Sequence, residues 1–542
     1  MNDDTLSPGQ RTLVNALEQL VDADLGSSEP ATTFRPVSWA TAPRPGFDLA
    51  AIACGEPTAD ADADGLAAAP PTELPPACPD AAEIIAAVSG GKTSAAAVLA
   101  VAQARAAACN ETLNAFISMC PERGAAEARA VDEVVAAGER PRPLAGVPLA
   151  HKDIIATQGV RTTGGSALLR DYVPAEDATV AARLSNAGAV LVGKTNTHEF
   201  ATGTTGTVSY FGAVRNPWNP ERIAGGSSAG AAAALAAGTV SAATGTDTGG
   251  SIRIPAACCG VVGLKPTYGR VSRSGVVPFA WGLDHVGPMA RRVRDVALLL
   301  TAMAGPDPYD RAAAHEPAAD FSATLDGGVK GLRIALPAPG FLELALPPVA
   351  EAVRNAGGVL EAAGAQRVEI ELPQELQLVG PAAIAIFLSE GGAVHRRTLA
   401  AHPRAYCKET RAFLSLHERV TAGHYLQAQR LRALLADAMA RVFRDVDLLL
   451  TPTLAMTAPP IGARQVEGVG GPVDVRAAMT LFTRPFNLTG LPALSMPCGF
   501  HDGLPIGLQL VGRPFEEATV LRAAQAYESA TEWHLRRPPL FA

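Results

Sequence analysis

Four side chains in two short stretches could carry out acyl transfer. The segment from Glu221 to Pro255 reads ERIAGGSSAGAAAALAAGTVSAATGTDTGGSIRIP and presents Ser227, Ser228 and Ser251 among glycines. A serine hydroxyl attacks a carbonyl only when a neighbouring base takes its proton. One candidate base lies upstream, where Lys152 stands in the apolar run LAHKDII and a solvated lysine would be out of place. An amine acts as a base only when neutral, and burial lowers its pKa toward the roughly 7–8 that suits the role. The flanking Leu149, Ala150, Ile154 and Ile155 are apolar enough to provide that burial. Taken alone, Gly226 to Gly230 satisfies the G-x-S-x-G pattern of the α/β-hydrolase nucleophile elbow and selects Ser228, with Asp and His partners downstream. In a stretch so rich in Gly, Ser and Ala, the same five residues also read as a tight turn opening an Ala-rich helix.

The surrounding pattern says what would hold these residues. Short β-like runs (AVLVGKT, TVSAATGTD) alternate with helical ones (ATVAARLSNAG, SSAGAAAALAAG), as in an α/β sheet covered on both faces. A further β-like run, GLRIALP, follows from Gly331, then the helical stretches PPVAEAVRNAGGVLEAAG and His417 to Val442. Near the end, ALSMPCGFHDGLPIGLQLVG places two apolar runs about Asp502-Gly503, a hairpin signal. At the other end, Thr12 to Leu25 has the spacing of an amphipathic helix. From Gly26 to about Asp80 the composition turns to Pro, Ala, Thr and Asp, which suits a loose extension. The chain thus divides into an N-terminal extension, 1–80, and a catalytic domain, 81–542. Gly91-Lys92-Thr93 suggests a P-loop, but the earlier glycine of that motif is Ala86, so a helix end capped onward by Thr93 or Ser94 is expected.

Composition narrows the partners. Of 542 residues, 48% are hydrophobic and 18% charged, with a net charge of −8 and no basic run, so nucleic acid is not expected as a partner. The eight cysteines, including the adjacent Cys258-Cys259, show no metal-ligand spacing and read as reduced thiols. The acidic, polar start MNDDTLSPGQ is not a secretory signal, and no apolar run approaches a membrane span. A cytoplasmic protein without membrane attachment is expected.

Several motifs occur together and in order: GVPLAHKDII, LVGKTNTHEFATG, FGAVRNPWNP, GGSSAG, GTDTGGSIRIPAACCGVVGLKPTYGRVSRSG and FNLTGLPALSMPCG. With these, the chain from about Asp80 to its C-terminus resembles the amidase signature family. The resemblance implies an α/β fold in which a large mixed sheet of about eleven strands is sandwiched between layers of helices. It implies Ser251 as nucleophile, Ser227 as a cis-serine proton shuttle behind a cis Gly226–Ser227 peptide, and Lys152 as base. Thr248, Gly249 and Gly250 would offer backbone N–H groups to the oxyanion, and Asp247 and Arg253 would pair to brace that loop. Ser228 is expected close behind Lys152. Ala201 and Gly203 are carried over as substrate contacts, and residues 387–424 as part of the pocket wall. His151 is expected to be structural, and His198-Glu199 lacks the second histidine of a zinc motif. The family usually has Gly at the position of Ala229.

The resemblance implies hydrolysis of a small-molecule amide through an acyl-enzyme, with no metal or organic cofactor, in a chain whose relatives are often homodimers. Two alternatives within the family stand beside it. One is the glutamine-hydrolysing subunit of a tRNA-dependent amidotransferase, which commonly has Met-Asp where this chain has Thr197-His198. The other is a carbamate- or ester-cleaving member.

Overall fold

The apolar runs become strands because both of their faces are covered, and the Ala-rich segments between them become the covering helices. In the computed structural model, residues 8–22, 48–53, 74–337 and 340–542 are described. Strands β1 Phe116–Met119, β2 Pro148–Lys152 and β3 Val190–Thr195 precede a small ribbon, β4 Arg215–Asn216 with β5 Asn219–Ile223. Next come β6 Ala242–Asp247, β7 Val262–Lys265, β8 His285–Ala290, β9 Arg333–Ala335, β10 Gln366–Val368 and β11 Leu448–Pro452. A second ribbon, β12 Gln465–Gly468 with β13 Gly471–Asp474, leads to β14 Ala493–His501 and β15 Leu504–Val511.

Eleven of these strands form one sheet in the order β1-β3-β2-β6-β8-β7-β14-β15-β11-β9-β10. Strand β2 runs parallel to both β3 and β6, and β9 runs parallel to both β10 and β11, while the remaining pairs are antiparallel. This is the mixed, helix-flanked sheet that the sequence implied. All residues of β2, β3, β6 and β15 are buried, which accounts for their near-continuous apolar runs. The three mutually parallel strands end together at Lys152, Thr195 and Asp247, and ligands of open α/β sheets bind beyond such carboxyl ends. The C-terminal hairpin forms as expected: Asp502 (φ 52°) and Gly503 (φ 74°) both occupy the left-handed region that a two-residue type I′ turn requires.

The helix Ala229–Ala236 lies wholly inside the protein, and small side chains are what let it pass so close to the sheet. A Cβ on Gly230 would lie 2.2 Å from the Ala115 carbonyl oxygen and 2.7 Å from the Asn196 backbone. The methyl of Ala229 is accommodated because its neighbour is Gly206, where a Cβ would stand only 2.4 Å away. Gly90 ends the helix Ala81–Ser89, and Ser94 Oγ accepts from the Ala97 N–H at 3.1 Å to start the next helix, so the Gly-Lys-Thr triplet is a helix junction.

The segment Gln374–Ala401 is long and apolar enough to cross a membrane by composition, but 72% of its most apolar window is buried within the protein. It is a core helix, packed against the helix Ala422–Asp445. The N-terminal amphipathic helix spans Pro8–Asp22, and it packs on both of these helices through the buried Leu17 and Leu20. Most of the Pro- and Asp-rich stretch after Gly26 lies outside the described residues.

Replacing Gly230 with Ala is expected to destabilise the fold by about 1–3 kcal/mol, because backbone rather than a movable side chain opposes the new methyl. The urea midpoint measures it, and an unchanged midpoint would contradict this packing.

Candidate active site

Lys152 is the last residue of β2 and has no exposed surface. Its Nζ lies 2.7 Å from Ser227 Oγ and 2.7 Å from Thr246 Oγ1 of β6. Burial lowers its pKa to about 7, with the Asp247 and Asp284 carboxylates opposing part of that fall. Two other lysines are equally buried. Lys194 donates to the Ile155 carbonyl and Thr162 Oγ1 and lies 3.4 Å from Asp153, while Lys265 donates to the Pro266 carbonyl. Of these three ammonium groups, Lys152 is the one that reaches a serine.

The serines are held by backbone. The Gly226–Ser227 peptide is cis. The Ser227 carbonyl accepts from Thr197 Oγ1 at 2.9 Å and from the His198 N–H at 3.1 Å, fixing this turn to the loop after β3. The Ser228 N–H donates to the Ser251 carbonyl at 3.2 Å, which sets the two serine-bearing segments side by side. Ser228 Oγ donates to the Thr246 carbonyl at 3.2 Å and accepts from the Thr246 N–H at 3.3 Å. Ser228 therefore braces β6 and touches Lys152 only through Thr246. Its hydroxyl makes no helix-capping bond.

The loop after β6 carries Thr248, Gly249, Gly250 and Ser251, and the Asp247 carboxylate organises it. Asp247 accepts from the Gly250 N–H at 2.7 Å, the Ile252 N–H at 3.2 Å and Asn487 Nδ2 at 2.8 Å. Arg253 adds Nε at 2.9 Å and Nη2 at 3.0 Å, forming the expected pair. Burial would raise the Asp247 pKa, but the Arg253 guanidinium and the donated hydrogen bonds outweigh it and hold the carboxyl well below the usual range. In this conformation the Gly250 N–H points at Asp247 and braces the loop. Two further braces come from afar: Thr248 Oγ1 donates to Asp284 at 2.6 Å, and Thr483 Oγ1 donates to the Gly249 carbonyl at 2.7 Å.

Ser251 opens onto a cavity of about 560 Å³ together with Ala201, Gly203, Thr248 and Gly249. Ile384, Phe387 and Phe413 supply apolar wall, and Ala16 of the N-terminal helix also lines the cavity. The expected contribution of residues 387–424 is thus partly met, by Phe387, Glu409, Ala412, Phe413 and Leu416. His198 is buried against Gly203 with neither ring nitrogen bonded among the described residues, and burial lowers it to about 3, so it is neutral. His151 Nδ1 meets Thr244 Oγ1 at 2.9 Å within the sheet, away from the serines.

Sequence reasoning did not single out Thr246, Asp284, Thr483 or Arg484. Arg484 did carry a signal, a charged residue inside the apolar run LFTRPFNL, the same anomaly that marked Lys152. Chemically, a neutral Lys152 can take a proton from Ser227, whose oxygen can in turn accept one from a neighbouring hydroxyl.

A family model described as Amidase matches residues 97–521. This chain belongs to the amidase signature family. The A subunit of the glutamyl-tRNA(Gln) amidotransferase of Roseiflexus sp. (strain RS-1) is 46% identical over 464 residues, covering 81% of this chain and 93% of that relative. Among solved structures, a bacterial aryl acylamidase of the amidase signature family is 29% identical with a TM-score of 0.78, covering 84% of this chain and 97% of its own. A protein from a vestigial complex tied to the origins of an s-triazine catabolic enzyme is 39% identical with a TM-score of 0.80, covering 83% and 98%. Amidase signature members hydrolyse carbon–nitrogen bonds, and this chain is such a hydrolase.

The comparisons correct one expectation. The net charge of −8 argues against a nucleic-acid partner, yet the amidotransferase relative is named for an enzyme that works on a tRNA. One member of an assembly need not itself carry the cationic surface that grips phosphates, so the charge of one chain does not decide the matter.

Activity is expected to fall about tenfold per pH unit below about 7, because only the neutral Lys152 amine accepts a proton. Above that value the amine is neutral and the rate levels off. Burial also raises the Glu199 carboxyl to about 7, but it accepts from Ser166 Oγ and the Cys407 N–H rather than from Ser227 or Ser251. Glu199→Gln should therefore keep the acidic limb of the kcat/KM profile, and loss of the limb in that variant would reassign it.

Proposed function

We propose that Ser251 attacks the carbonyl carbon of a carboxamide while Ser227 relays its proton to Lys152. The contact between Lys152 Nζ and Ser227 Oγ at 2.7 Å, beside the cavity that holds Ser251, carries this reading. As the carbonyl bond opens, its oxygen takes on negative charge, which the N–H groups of Thr248 and Gly249 stabilise while Gly250 holds their loop in shape. The proton held by Lys152 returns through Ser227 to the amide nitrogen, which leaves as an amine or ammonia. Water then gives a proton to the same relay and attacks the acyl carbon, and the freed acid departs from Ser251.

Among carboxamides, glutamine is the substrate best supported, in the manner of the glutamine-hydrolysing component of an amidotransferase. The 46% identity across 93% of such a relative supports it. In that role the released ammonia would pass to a partner protein that works on glutamyl-tRNA. A second reading, an amidase that works without partners, draws support from the helix Pro8–Asp22, which lies outside the 97–521 family match and yet lines the cavity. Either activity suits the cytoplasm, where the seven described cysteines, none of them in a disulfide, would stay reduced.

Ammonia release by the purified chain decides between them. Turnover of L-glutamine supports the amidotransferase reading, and turnover of aryl amides with none of glutamine supports the second. In both, Ser251→Ala should lower kcat by at least about 10³-fold and Ser228→Ala by less than about tenfold. The reverse pattern would make Ser228 the nucleophile.

A further inference from the structure

Four charged side chains line the cavity that holds Ser251, and three of them are satisfied. Glu409 and Arg476 pair with each other. Asp474 caps a helix, accepting the N–H groups of Arg476 and Ala477 at 2.9 and 3.2 Å. The fourth, Arg484, makes no hydrogen bond or ion pair among the described residues. Its Nε is buried without a partner, and its guanidinium carbon lies 5.7 Å from the centre of the Phe387 ring. Burial and the nearby Arg476 lower its pKa, with the Asp474 carboxylate opposing them, only to about 10, so it stays charged at neutral pH.

Its position gives that charge a purpose. Arg484 follows Thr483, whose hydroxyl grips the Gly249 carbonyl, and its Cγ approaches within 3.8 Å of where a Cβ on Gly249 would stand. The cation is therefore fixed beside the loop expected to face the scissile carbonyl. A cation withdrawn from water is costly unless an anion meets it. Other enclosed arginines are satisfied, Arg253 and Arg273 by the carboxylates of Asp247 and Asp310 and Arg105 by the carbonyls of Ala237, Pro75 and Phe541. Among the described residues Arg484 has neither a carboxylate nor a carbonyl partner, which leaves its acceptor to arrive with the ligand.

We infer that Arg484 receives a carboxylate on the acyl part of the substrate. The substrates are then half-amides of short dicarboxylic acids, of which glutamine is the amino-substituted case. A planar guanidinium fork matches a carboxylate with two parallel hydrogen bonds, which a lysine or a neutral donor does not reproduce. The inference rests on Ser251 being the acylated residue, since that places the carboxylate and the scissile amide in one cavity.

The test compares matched amides, succinamate against butanamide and glutaramate against pentanamide, on the wild-type chain, R484Q and R484K. The carboxylated member of each pair should be preferred in kcat/KM by about 10- to 100-fold. R484Q should reduce that ratio at least about tenfold, mainly through KM, and R484K should restore part of it. A wild-type ratio near one, or a ratio unchanged in R484Q, overturns the inference while leaving amide hydrolysis at Ser251 intact. The converse is read by calorimetry on S251A. If no amide turns over, glutarate binding to S251A that is lost in S251A/R484Q still supports the carboxylate site, and the assignment of Ser251 alone fails. Absence of glutarate binding to S251A counts against the site.

Discussion

The Asp247 carboxylate is the fixed point around which the site is assembled. It sits at the end of a buried strand and gathers donors from Gly250, Ile252, Arg253 and Asn487, drawing the serine loop, the helix that follows it and a distant C-terminal segment together. Arg253 extends the node to Gln509 on β15 and to the Thr483 carbonyl, so the loop bearing Ser251 is tied to the far half of the sheet. Removing either member of such a buried pair leaves a lone charge, at a cost of about 3–5 kcal/mol. The glycine-rich loop has little packing of its own, and this node gives it a single shape.

The same carboxylate also acts on the base. Burial alone would drive Lys152 further down, and Asp247 and Asp284 hold it near neutrality through their charge. Asp284 meanwhile braces Thr248 of the serine loop. Loop geometry and base strength are thus set by one pair of carboxylates, so a change at either alters both. The small residues complete the arrangement: with Ala and Gly along Ala229–Ala236, the helix behind Ser227 can lie against the ends of the parallel strands without side chains intervening.

Much of this was legible in the chain as written. Lys152 in an apolar run, Ser227 and Ser251 at family spacing, the Asp247–Arg253 pair and the Asp502-Gly503 hairpin were all visible, because each depends on neighbours close in sequence or on an ordered motif. GSSAG illustrates the limit of local pattern: its elbow match selects Ser228, whose hydroxyl is occupied by the backbone of Thr246. The residues not foreseen act across long separations. Thr483 reaches Gly249 from 234 positions away, and Thr248 reaches Asp284 across 36. No periodicity encodes such pairings, which arise only when β6, β8 and the C-terminal segments meet in one sheet. Net charge misled for a related reason, since it describes one chain and says nothing of an assembly.

The helix Pro8–Asp22 shapes the site without taking part in its chemistry. It lies on the helices Val379–Ala401 and Ala422–Asp445, and with Ala16 and Gln19 it furnishes part of the chamber in front of Ser251. The reacting groups come from the end of β2 and from the turns that carry Ser227 and Ser251, while this part of the wall comes from residues 8–22. The chemistry and part of the fit therefore rest on different stretches of the chain. A change confined to Ala16 or Gln19 would reshape the chamber without disturbing any residue that moves a proton.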